Sequence, residues 1–398
     1  MKVLLVANVL PPRDLSGAGE QVLQLAWGLR QAGCEVEILG RDQCGPGVSK
    51  TSFPWSARRA ALRRVAEWQP DVVQVHESDG GLVIRDLSRR ATGRRPLLAA
   101  LQQVSYVQER LAVRPLIDRD GRAGVVARPA RSERIFRSLR APVHIALGRI
   151  TARRADVRLA PSQVTAAEIE RDYGVAGVEV VPNVTGAPLD LPDEDEPRES
   201  RVDELVEEPF LLAVGRLRIR KGFEILLRAV ATAHGRGHRP RLIVAGDGER
   251  RESLSVLARE LGLGTSVHFA GRCSRTEVAR LRRRATALVV PSTYEGMPLV
   301  VLEAMGDAVP VIASAVSGIP EVVVDGETGW LVPPERSSAL ADALIAATLD
   351  PDESRRRGEA GGRRLDRRYR PGHAAERWLE ALERVGRSLP PVWKNPDR

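Results

Sequence analysis

Cysteine is scarce in this 398-residue chain. Cys34, Cys44 and Cys273 are odd in number and scattered. They form neither a disulfide framework nor a metal-ligand spacing, and they suit a reducing compartment. Aromatic residues make up only 4%. With no recognisable nucleic-acid module, that argues against a nucleic-acid partner. No apolar run is long enough to span a bilayer. The opening MKVLLVANVL is short for a secretion signal and runs into PPRD, so it reads as a first buried strand. The expectation is a globular protein of the cytoplasm with no cofactor and no metal.

What is abundant is positive charge. The net charge is +9 and the pI about 10.1. That favours nucleotides, acidic acceptors or an anionic membrane surface to which the chain binds peripherally. Much of the basicity is arginine, which a genome bias would also produce. The length implies two domains. Residues 188–209, PLDLPDEDEPRESRVDELVEEP, are acidic, proline-bearing and poor in apolar residues, the composition of an inter-domain linker. The reading is a first domain over 1–187, the linker over 188–209, a second domain over 210–370, and a helix and tail over 371–398.

Both domains alternate short apolar runs with stretches of helical spacing, the pattern of parallel sheets with crossover helices. In the first, strand 2–7 leads through a loop bearing Gly17 and Gly19 into helical 21–33, then strand 34–40. These glycines do not match G-x-G-x-x-G, so a dehydrogenase is disfavoured. His76 ends strand 71–77, and Gln102 follows strand 96–101. Sites in such folds gather at the carboxyl ends of strands. Residues 110–158 are strongly basic, with Arg114, Arg119, Arg122, Arg128, Arg131, Arg134, Arg137 and Arg140. They read as an insertion in the first domain: a mobile lid, a surface for an anionic acceptor or lipid headgroup, or a solvated loop. In the second domain, strand 210–215 ends at Gly215, and Arg216 and Lys221 follow in the loop. Two fixed cations there can offset a diphosphate. A helix over 275–285 carries RLRRRA, read as a solvated basic face.

The most informative stretch is PSTYEGMPLVVLE, residues 291–303. The buried-looking strand ALVV precedes it, and an apolar run with helical spacing starts near Pro298, a residue suited to a helix's first turn. Backbone N–H groups at such a helix start form an anion site. Glu295 and Glu303 flank it. A carboxylate does not hold phosphate, but it accepts hydrogen bonds from sugar hydroxyls. A phosphate site between two hydroxyl acceptors points to a nucleotide sugar.

The block PSTYEGMPLVVLEAMGDAVPVIAS with the following GIPEVVVDGETGWLVPP resembles the signature of the retaining glycosyltransferases of family 4. VGRLRIRKG (214–222) and PPRDLSGAGEQ (11–21) are similar to other parts of that family, in the same order along the chain. The resemblance implies a GT-B fold: two facing Rossmann-like α/β domains with parallel sheets and a C-terminal helix crossing back to the first. It implies transfer of a sugar from a nucleoside diphosphate, UDP first and GDP-mannose second, to a hydroxyl acceptor. Arg216 and Lys221 would hold the diphosphate, together with the backbone of Gly296, Met297, Pro298, Leu299 and Val300. Glu295 would orient the transferred sugar and Glu303 would bind the ribose. Gly17 and Gly19 would lie against the diphosphate, and Gly215, Arg272 and Cys273 belong to the same donor side. His76 and Gln102 would face sugar or acceptor, although many relatives carry His-Asp where this chain has Gln102 and Gln103. A sugar-nucleotide epimerase, an inverting transferase and a non-catalytic nucleotide-binding homologue stay open.

Overall fold

The computed structural model describes residues 1–11, 17–89, 95–120, 124–189, 204–206 and 208–388. Arg122, residues 12–16 of the glycine-bearing loop and most of the acidic linker lie outside them. The chain divides into two compact units. One comprises Met1–Glu109, Ser138–Leu191 and Tyr369–Arg398; the other comprises Arg110–Arg137 and Pro192–Arg368.

The strands in chain order are β1 (Lys2–Val6), β2 (Glu35–Leu39), β3 (Val72–His76), β4 (Leu97–Leu101), the hairpin β5 (Leu116–Ile117) and β6 (Val125–Ala127), β7 (Val157–Ala160) and β8 (Val178–Val180). Then come β9 (Leu211–Val214), β10 (Leu242–Ala245), β11 (Val267–Gly271), β12 (Ala287–Val290), β13 (Val311–Ser314) and β14 (Gly329–Val332). The first unit holds a parallel sheet of order β2-β1-β3-β4-β7-β8, the second a parallel sheet of order β11-β10-β9-β12-β13-β14. The continuous apolar runs of the strands follow from burial on both faces. Along β1, Val3 and Leu5 pack into one core, while Leu4 and Val6 pack into the core beneath the helix Phe53–Trp68.

The final helix, Pro371–Ser388, belongs to the first unit. Ala374, Trp378 and Leu382 are buried in its core, with Leu379 and Val385 packed against them. This is the crossing-back helix that the resemblance implied. Gln74, inside β3, accepts a hydrogen bond from the Trp378 indole.

The basic insertion is divided differently from expectation. Ser138 onward stays with the first unit, but Arg110–Arg137 packs into the second. The reason is a set of acidic ties, with Glu335 and Asp118 buried. Glu335, fully buried, pairs with Arg114 at 2.8 Å and Arg119 at 3.3 Å. Asp118 and Asp120 accept from the backbone amides of Ser337 and Ser338 at 3.3 and 2.7 Å, at the start of the helix Ser337–Leu349. Leu116 joins the second unit's core. The arginines of this stretch are therefore partly structural. One smaller correction concerns the second unit, in which residues 319–322 form one helical turn. Arg282, expected on a solvated face, is half-buried against two carboxylates. Among the described residues no helix is long and apolar enough to cross a membrane.

Candidate active site

In the second sheet the order reverses between β9 and β12. The crevice beyond the carboxyl ends of strands at such a switch point is where open α/β sheets bind ligands. The two loops read from the sequence, 215–222 and 291–298, leave those two strands.

The first loop leaves β9 through Gly215 and tightens into a 3-10 turn, Ile219–Lys221. It ends at Gly222, whose φ is 67°. A Cβ there would lie 2.0 Å from the Pro291 carbonyl oxygen, so glycine is what allows the loops to touch. They are also laced together: Thr293 N donates to Arg220 O at 2.8 Å, and the Arg220 guanidinium donates to Tyr294 O at 3.2 Å.

Glu295 is 6% exposed. The Lys221 ammonium lies 2.5 Å from one carboxylate oxygen, the Ser292 hydroxyl donates to it at 2.7 Å, and Arg220 is 3.6 Å from the other oxygen. Burial alone would raise its pKa; Lys221 and Arg220 outweigh it and hold the carboxyl below its ordinary range. Glu295 is thus an anion at neutral pH. Gly296 accepts from the Gly318 amide at 3.0 Å, and Met297 is buried. Pro298 is the N-cap of the helix Leu299–Gly306 and stands one residue before the first turn expected to contain it. No side chain caps that helix.

Arg216 is solvent-exposed, and no acceptor among the described residues bonds its guanidinium. Its pKa is held down by partial burial and by the charges of Arg218, Arg220 and Arg272. Like charges gathered in this way disfavour one another, and an anion would relieve them. Glu303, one turn into the helix, pairs with Arg282 at 2.7 Å, and Arg282 also holds Asp307 at 2.6 Å. Cys273 follows β11 and stays a thiol, its pKa pushed up to about 11 by burial and by Glu277.

The first unit's candidates fall elsewhere. Gly17 opens the helix Gly17–Gln31. A Cβ on Gly19 would meet the Val9 carbonyl oxygen at 2.4 Å, so its glycine is required by the contact between that helix and the loop after β1. His76 is buried, and burial lowers its pKa to about 3. Because Trp378 can only donate, Gln74 accepts from it and turns its amide NH2 toward His76 Nε2, 3.0 Å away. His76 is a neutral core residue tied to the final helix. Gln102 is buried and donates to Gly148 O at 3.3 Å.

The residue that sequence reasoning missed is Glu77. It sits immediately after β3, where the first sheet's order turns between β1 and β3. Its backbone is at φ 63°, ψ −175°, a conformation almost restricted to glycine that costs of order 1–3 kcal/mol. The Gln103 amide donates to one carboxyl oxygen at 3.0 Å, and the other has no hydrogen-bond partner among the described residues. Burial, with the charges of Glu109 and Asp79, pushes its pKa up to about 8. Asn8, at the end of β1, donates to Asp79 at 2.8 Å, and Ser78 lies 2.8 Å from His144, which stacks on Tyr106. Nothing in the residue order marks a glutamate as having a left-handed backbone.

Two family descriptions match the chain: "Glycosyltransferase Family 4" over residues 15–185 and "Glycosyl transferases group 1" over residues 195–364. The alpha-maltose-1-phosphate synthase of Mycolicibacterium smegmatis is 28% identical, covering 97% of this chain and all of that protein. The D-inositol 3-phosphate glycosyltransferase of Kribbella flavida is 36% identical over 52% of this chain and 51% of its own. Sucrose-phosphate synthase from Thermosynechococcus elongatus superposes with a TM-score of 0.74 at 21% identity, covering 98% of this chain and all of that one. HepE of Anabaena in complex with UDP-glucose gives 0.67 at 19% identity, covering 96% and 100%. The fold is GT-B, and the chain belongs to the glycosyltransferases of the family 4 type.

Proposed function

We propose that this family 4-type transferase moves a sugar from a nucleoside diphosphate, UDP first and GDP second, to an acceptor hydroxyl with retention of configuration and without a metal. The observation that carries the reading is the loop of cations at the β9/β12 switch point, beside an uncapped helix start and a buried, ionised Glu295. UDP stands first by the resemblance, and HepE, solved with UDP-glucose, supports that order.

The difficult event is departure of the diphosphate while positive charge grows on the anomeric carbon. Donors fixed in advance around the leaving group stabilise that separation. Arg216 and Lys221 supply charge, and the amides of Leu299 and Val300, with the helix dipole behind them, supply oriented N–H groups. Glu295 is held rigid by Lys221 and Ser292, which suits it to orienting a sugar through hydroxyl hydrogen bonds. It is assigned no nucleophilic role, since a carboxylate committed to an ammonium is a poor attacking group. The acceptor oxygen bonds to the anomeric carbon as the sugar–phosphate bond breaks, and its proton passes to the departing phosphate oxygen. That route needs no histidine base, in keeping with Gln102 and with the neutral, buried His76. Glu303 would accept from the ribose hydroxyls while keeping Arg282.

The test is a thermal-shift panel with UDP, GDP, ADP and dTDP on wild type and Glu303→Ala. A ligand at 100 times its dissociation constant adds ~2.7 kcal/mol of stability. Stabilisation by one nucleotide, lost in the variant, supports the reading and fixes the base. No shift with any nucleotide counts against it.

A further inference from the structure

The arm Arg110–Arg137 does more than pack against the second unit. The helix Arg131–Ile135 carries Glu133, which is 3% exposed. One of its oxygens accepts from the Ala130 amide at 2.9 Å, capping its own helix. The other accepts from the amide of Ile219 at 2.8 Å. Ile219 is the first residue of the 3-10 turn that ends at Lys221. An unpaired amide at the start of a turn is an orphan donor, and here a carboxylate from 86 positions earlier in the chain satisfies it.

Glu133 is itself held. Arg250, 7% exposed, lies 3.8 Å from it, grips Glu224 at 2.5 Å and donates to the Arg128 carbonyl of the arm at 3.0 Å. Three charged side chains are thus buried together. Such a network stabilises little compared with apolar packing of the same volume, so its value lies in fixing geometry. What it fixes is the turn whose side chains, Arg220 and Lys221, meet Glu295. The chain leaves the first unit after Glu109 and rejoins it at Ser138. A segment bounded on both sides by the first unit's chain therefore hydrogen-bonds the turn of the second unit's cationic loop.

We propose that Glu133 is a positioning residue for Lys221, acting through the Ile219 amide, so that the arm helps to set the donor-diphosphate loop. The proposal rests on the diphosphate reading above, and its test separates the two.

The chain has four lysines, Lys2, Lys50, Lys221 and Lys394, so labelling of Lys221 by an amine-selective reagent can be followed by mass spectrometry on the full-length protein. In Glu133→Ala, Lys221 should label several-fold faster than in wild type while Lys2 is unchanged. Glu133→Met, which keeps the volume without an acceptor, should behave alike if the alanine variant folds poorly. Glu133→Gln should restore a rate near wild type. Turnover, measured where the variants are folded, should fall about 10- to 100-fold in kcat, with a smaller change in donor KM and recovery in Glu133→Gln. An unchanged Lys221 labelling rate in the folded alanine or methionine variant overturns the proposal. Protection of wild-type Lys221 by UDP, GDP, ADP or dTDP is the separate arm. Its absence sinks the diphosphate reading and leaves the comparison between variants standing.

Discussion

Lys221 and Glu295 stand 74 positions apart in the chain, and their side chains meet at 2.5 Å. One comes from the loop after β9, the other from the loop after β12. Each was expected to touch a different part of a donor molecule; the structure also makes them partners of each other. This changes what removing either should do.

Lys221→Ala leaves Glu295 buried without its main counter-charge. Breaking a buried pair in this way costs about 3–5 kcal/mol, so the variant should lose stability as well as turnover. Lys221→Ala combined with Glu295→Gln should recover much of the melting temperature but none of the activity. Recovery of both would remove the pair from the site.

Glu303→Ala should behave differently. Arg282 keeps Asp307 at 2.6 Å, so no charge is stranded and the melting temperature should hardly move. Nucleotide affinity, read by titration calorimetry, should fall. Equal affinity in variant and wild type would end the ribose assignment.

Glu77 predicts a pH signature. Its folded pKa, about 8, lies above the ordinary value of 4.5. Between those values the unfolded chain releases the proton and the folded chain keeps it, so stability falls as pH rises from about 4.5 to about 8. Glu77→Gln should abolish that part of the slope, and urea midpoints of the two proteins should converge toward acid and separate toward pH 8. Parallel curves would mean that the carboxyl is not buried as described.

Gly222→Ala should be among the most damaging single-methyl changes. A left-handed φ of 67° costs a non-glycine residue of order 1–3 kcal/mol, and the added Cβ would overlap the Pro291 carbonyl. The urea midpoint should drop, and donor turnover with it. A variant of wild-type stability would show that the two loops can part without cost.

Chelation offers a direct check on the chemistry. If the arginine and lysine charges hold the diphosphate as proposed, EDTA should leave turnover intact. Loss of activity rescued by Mg²⁺ would replace the cationic-loop account with a metal-assisted one.

The amino-acid order by itself determined what depends on local pattern. Apolar runs such as Val3–Val6 and Ala287–Val290 specify strands buried on both faces. The break at Pro298 places a helix start after β12, and Trp378, Leu379, Leu382 and Val385 on one face specify a helix that must dock. Period and punctuation are short-range properties, and they survive any arrangement of the rest. Tertiary structure alone decided which distant groups meet. Glu335 drew Arg114 and Arg119, and with them the arm, into the second unit. Gln74 and Trp378 tie the buried, neutral His76 to the final helix. Glu77 took a backbone conformation that its residue type disfavours. Burial, charge pairing across long separations and the sign of φ are set by packing, which the order of residues constrains without displaying.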